Sequence, residues 1–208
     1  MVGEVVLIAL MTTIVPVAAC PPEVALDVLA EHHPPAVRSS YHLDQIRDFA
    51  IRMGRPAKHE PLGFYASTFG YTVDVQPAAM EMPGCKPAVT ARVRLILGGR
   101  LVEIGADLQS RGCQRDVILS HYMLHAQYDD GALSTYANRA MEALGQISTA
   151  ELLGNPAQGN LVDNATESIR RAMDKVLLSY DKERAEAMAL ADNPEELNKL
   201  SNACRRTL

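Results

Sequence analysis

ARVRLILGGRLVEIGADLQSRGCQRDVILSHYMLHAQY, residues 91–128, changes its hydrophobic period part-way along, and that change decides the fold class. Val93, Leu95 and Leu97 alternate with arginines in the two-residue period of a strand with one buried face, and Val102, Ile104 and Ala106 resume it. Gly98-Gly99 between them can supply the positive φ of a tight turn, so the reading predicts a β-hairpin. Beyond Arg111-Gly112-Cys113 the period becomes helical, with Val117, His121, Leu124, His125 and Tyr128 on one face. A hairpin running into an amphipathic helix predicts an α+β domain: a small antiparallel sheet packed against several helices.

The same periods extend outward. Upstream, Val24, Leu26 and Val28 alternate as a strand, and Pro34-Pro35 marks a loop. Leu43, Ile46, Phe49, Ala50 and Met53 recur at helical spacing until Gly54-Arg55-Pro56. Tyr71, Val73 and Val75 form a further strand, followed by a proline-rich loop carrying Cys85. Downstream, Asp129-Asp130-Gly131 ends or kinks the first helix, and Leu133, Tyr136, Ala137, Ala140, Met141 and Leu144 mark another. Residues 148–161, with Gly154, Pro156 and Gly159, read as loop. A long helix starts at Asn164, whose sequon Asn164-Ala165-Thr166 is taken as an N-cap, and Asn193-Pro194-Glu195-Glu196 opens a last helix ending near Cys204. No internal repeat or long linker divides residues 20–208, which form one domain.

A chain of 208 residues, 48% hydrophobic and 22% charged, is long enough for a real core. The net charge of −5, with scattered lysines and arginines, offers no field for a phosphate backbone, so nucleic acid is excluded as an expected partner. Residues 1–19 contain VVLIALMTTIVPVAA and read as a signal peptide, although Glu4 stands where a positive charge is usual; a buried N-terminal strand or helix is the other reading. Export to the periplasm or the medium is therefore expected. The 4 cysteines, Cys20, Cys85, Cys113 and Cys204, form an even set and imply two disulfides in such a compartment. Of the three connectivities, the hairpin favours Cys85 with Cys113, which leaves Cys20 with Cys204. Val17-Ala18-Ala19-Cys20 also fits a lipobox, in which case an acylated Cys20 anchors the protein to a membrane and one thiol is left over.

His121 and His125 stand one helical turn apart, a spacing at which two imidazoles can share one metal ion, zinc being the usual occupant. The same spacing is also compatible with half-buried histidines satisfied by hydrogen bonds. His32, His33, His42 and His59 form no ligand spacing and read as surface residues. No nucleophile elbow or phosphate-binding glycine loop is present.

A disulfide-linked hairpin leading through a cysteine into HxxxH and a second helix resembles the secreted bacterial zincin-like putative metallopeptidases, whose motif is HExxH. The resemblance spans residues 85–144 and implies a zincin-like fold, with residues 102–108 as a substrate-binding strand. This chain departs from the motif at Tyr122, where the family has the glutamate that takes a proton from zinc-bound water. A phenol with an ordinary pKa near 10 donates at neutral pH rather than accepts. The third metal ligand is open between Asp129, at helical spacing, and Glu142, further downstream. The resemblance implies an exported, catalytically degenerate domain that binds peptides or envelope proteins or regulates them. An active zinc peptidase and a metal-free envelope lipoprotein or interaction domain are the alternatives.

Overall fold

One strand organises the sheet in the computed structural model, which describes residues 24–52, 61–77, 89–154, 160–202 and 204. This is β4, Val89–Ile104; β3, Gly63–Pro77, runs antiparallel along the whole of one of its edges. With that edge filled, β1, Val24–His32, and β2, Ala36–Arg38, share the other, both parallel to β4. The sheet is therefore not the antiparallel sheet expected: β1 and β2 reach the organising strand by parallel pairing. The α+β class holds, with helices α1 Leu43–Arg52, α2 Gly112–Gly145, α3 Thr149–Leu153, α4 Leu161–Ala191 and α5 Pro194–Asn202.

The expected turn at Gly98-Gly99 does not form, and β4 passes straight through it. Gly99 uses its positive φ of 58° for a bulge instead: the register steps from Thr68↔Gly98 to Ala66↔Leu101, so two residues of β4 face one of β3. The extra residue reverses the side-chain phase. Ala91, Val93, Leu95 and Leu97 face the helices before it and Arg100, Val102 and Ile104 after it, while Glu103 is buried on the other face, where its carboxylate accepts from the Ser40 and Tyr41 N–H groups. The first set packs against Leu133, Tyr136, Ala140, Leu144, Ile169, Met173 and Tyr180 of α2 and α4. The second set packs against Ile118 and Tyr122 of α2. On the opposite face α1 covers the far end of the sheet, where Phe49 stacks on Phe64 at 5.0 Å.

Asp129-Asp130-Gly131 does not end the helix; α2 runs unbroken for 34 residues. A glycine inside a helix costs about 1 kcal/mol relative to alanine. Here that cost is offset by the partners of its neighbours: Asp130 takes two hydrogen bonds from Arg100, and Asp129 is held by Tyr65, Ser67, Tyr180 and Arg184. Residues 149–153, read as loop, form α3, capped by the Ser148 side chain on the Glu151 N–H. The long helix begins three residues earlier than expected, with Asn160 as its cap, and Asn164 lies inside it, donating to the Leu153 carbonyl.

Cys113 pairs with Cys204, which rules out both expected bonds, Cys85–Cys113 and Cys20–Cys204. The expectation rested on a hairpin that does not exist, whereas α5 packs against α2 and brings its end to the start of that helix. Cys20, Cys85, His59 and the proposed signal peptide lie outside the described residues. Among the described residues no helix is long and apolar enough to cross a membrane.

Candidate metal centre

Helices α2 and α4 run antiparallel, and each turn along α2 meets the preceding turn of α4. His121 faces Asp192, His125 faces Met188, and Asp129 faces Arg184. The spacing that puts both histidines on one face of α2 thus aims them at the end of α4. Asp192 caps that end, its N–H bonded to the Met188 carbonyl.

His121 Nε2 lies 3.1 Å and His125 Nε2 3.0 Å from Asp192 Oδ1, and the two Nε2 atoms are 3.2 Å apart. The three atoms form a nearly equilateral triangle. An ion about 2.0–2.1 Å from each donor places neighbouring donors about 3.0–3.4 Å apart, so one ion fits above this triangle. His121, His125 and Asp192 could hold a metal ion, and no further histidine, cysteine or carboxylate joins them among the described residues. The imidazoles are 7% and 4% exposed and the Asp192 side chain 26%, so the site opens to solvent on the aspartate side.

His125 Nδ1 packs against the Met188 sulfur, so Nε2 of that ring is the nitrogen that faces His121 and Asp192. The three facing atoms can be bridged by ring N–H groups donating to Asp192, or by a cation that accepts a lone pair from each. Burial pushes the Asp192 carboxyl up, but hydrogen bonding with His121 and His125 outweighs it and holds the group well below the usual carboxylate range. It is therefore an anion, ready to ligate.

Neither sequence candidate for the third ligand is beside the histidines. Asp129 is fully buried, one turn further along α2, and its oxygens take hydrogen bonds from Tyr65 at 2.9 Å, Ser67 at 2.7 Å and Arg184 at 2.9 Å. Burial raises its pKa, but Arg184 and Ser67 more than offset that and leave it lowered. Glu142 is exposed and lies almost five turns beyond His125, about 25 Å by the helical rise. Asp192 could not be found by spacing, because it is 71 residues from His121. Its only local sign is its place before the helix-capping Asn193, whose side chain accepts from the Glu195 and Glu196 N–H groups.

Tyr122 occupies the position of the zincin glutamate but is turned to the sheet. Its hydroxyl donates to the Gly63 carbonyl at 2.6 Å, and its ring packs with Val102, Ile104, Leu108 and Ile118. Tyr65 stacks on His125 at 6.3 Å and fixes that ring from the sheet side. Of the other histidines, His32 pairs with Asp130 at 2.9 Å and His42 with Asp107 at 3.0 Å. No family model matches the chain, and neither the curated proteins nor the solved structures hold a match.

Proposed function

We propose that this protein is an exported zinc-binding domain, zincin-like in its histidine helix and without the base of a peptidase. Its ligands are His121, His125 and Asp192. The observation that carries the reading is the convergence of three donor atoms within 3.0–3.2 Å, with the outer nitrogen of His125 turned to a thioether. Two imidazoles and a carboxylate suit zinc, and three protein ligands leave a coordination position for water or for a group brought by a peptide or an envelope protein. Export rests on the apolar leader, residues 1–19, and on the use of a disulfide. An acylated Cys20 would place the same domain on a membrane surface.

Tyr122 is committed to the Gly63 carbonyl, and among the described residues no second carboxylate joins the ligand group, so the proposed role is binding or regulation rather than hydrolysis. Elemental analysis and zinc titration of the purified oxidised protein test this. One zinc per chain is expected, and His121→Ala, His125→Ala and Asp192→Ala should each weaken binding by about 100-fold or more, with the metal-dependent gain in stability lost. Wild type that stays metal-free in excess zinc, or a His121→Ala/His125→Ala protein that binds as well, would defeat the reading. The open coordination position also favours a second reading, an active zinc peptidase. Zinc-dependent cleavage of a peptide library, abolished by His121→Ala, would establish that reading in place of the first.

A further inference from the structure

Resting on the zinc reading, we propose that the Cys113–Cys204 disulfide is a redox switch for the affinity of the metal centre. Metal and disulfide join the same two pieces of chain. Cys113 and the two histidines lie on α2, while Asp192 and Cys204 bracket α5. Cys113 is the second residue of α2, two turns before His121, or about 12 Å along the axis. Helix α5 therefore lies between two clasps, with Leu200 packed on the Ile104–Ile118 cluster between them.

The coupling follows from loop closure. Helix α4 is already docked on α2 by the Asp129–Arg184 pair, so the ion has only the last turns of α4, from Arg184 to Asp192, left to hold against His121 and His125. The disulfide holds the chain beyond α5 and limits how far those turns can open, which raises affinity by about threefold or more. Linkage makes the effect mutual, so zinc protects the disulfide by the same factor, tenfold corresponding to about 30 mV.

The bond is placed to be switched. Cys113 is exposed and Cys204 half-buried, so an external thiolate can reach them. A thiolate leaving from Cys113 sits in the first turn of a 34-residue helix, whose N-terminal N–H groups favour negative charge. Reduction by a dithiol breaks the S–S bond, delivers two electrons and two protons to give two thiols, and closes the reductant to its own disulfide.

Zinc titration against a chromophoric chelator compares the oxidised wild type with Cys113→Ser/Cys204→Ser, whose hydroxyls cannot substitute as thiolate ligands. The variant should bind at least about threefold more weakly. Independently, wild type equilibrated with reduced and oxidised dithiothreitol should keep more of its disulfide when zinc is in excess over the dithiol. That protection should vanish in His121→Ala. The redox equilibration decides if the serine variant does not fold. Affinities within about twofold, or zinc-independent reduction, would overturn the switch while leaving the zinc site standing. Absence of zinc binding by the oxidised wild type would overturn both.

Discussion

Met188 packs on Nδ1 of His125 and so fixes Nε2 as the nitrogen that faces His121 and Asp192, the place where a carboxylate or backbone carbonyl stands behind most metal-bound imidazoles. A thioether is a weak acceptor, so it holds the ring by packing as much as by charge. Met188→Leu keeps the volume and removes the acceptor, and zinc affinity should fall by about tenfold with little change in the stability of the zinc-free protein. Competition with a chelator measures the first and urea unfolding the second. Unchanged affinity would show that Met188 is only a spacer. Residue by residue, the legibility of the site divides along the same line. His121 and His125 were readable because one helical turn separates them, whereas Asp192 and Met188 reach the site through the packing of α4 on α2, which no local pattern encodes.

Among the elements, β4 shows what a period can and cannot say. Alternation located both halves of the strand, which stops at Ile104 short of Ala106, but could not distinguish a turn from a bulge, since a positive-φ glycine serves either. The difference is testable because a bulge needs only one of the two glycines. A Cβ on Gly99 would sit at φ 58° and 3.1 Å from Thr68 Oγ1, whereas one on Gly98 would make an ordinary contact at 3.5 Å. Gly99→Ala should therefore cost about 1–2 kcal/mol, and Gly98→Ala much less, by urea or thermal unfolding. Equal costs would restore the tight turn in which both glycines are required. Losing the bulge would also turn Arg100 off the helix side, away from the Ala126 carbonyl and Asp130. Helix α2 gave the opposite lesson. Asp-Asp-Gly has the composition of a break, yet the partners of Asp129 and Asp130 lie on β1, β3, β4 and α4, and tertiary contacts override the local signal.

At the scale of the whole molecule, that override is a polar seam between sheet and helices. Asp129 on α2 binds Tyr65 and Ser67 of β3 and Tyr180 and Arg184 of α4, so one carboxylate joins three elements. Its buried charge is acceptable only because it is paired. Asp129→Asn leaves the largely buried Arg184 without its counter-charge and should cost about 3 kcal/mol at neutral pH. The pH dependence identifies the cause. The native carboxyl of Asp129 lies below its ordinary value, since Arg184 and Ser67 outweigh the effect of burial. Such a group contributes its stability in full above the unfolded pKa, near 3.9, and loses it as pH falls through the lower native value. Wild type and Asp129→Asn should therefore differ most at pH 6–7, begin to converge as pH falls through about 4, where the unfolded carboxyl takes up its proton, and meet only below the lower native value, where the folded carboxyl is as neutral as the amide. Other carboxylates titrate in the same range, but they are common to both proteins and cancel in the difference. Urea midpoints at pH 7, 4 and 3 give that difference directly. A gap that stays constant down to pH 3 would mean that Asp129 stabilises the seam by shape and hydrogen bonding, with its charge contributing nothing.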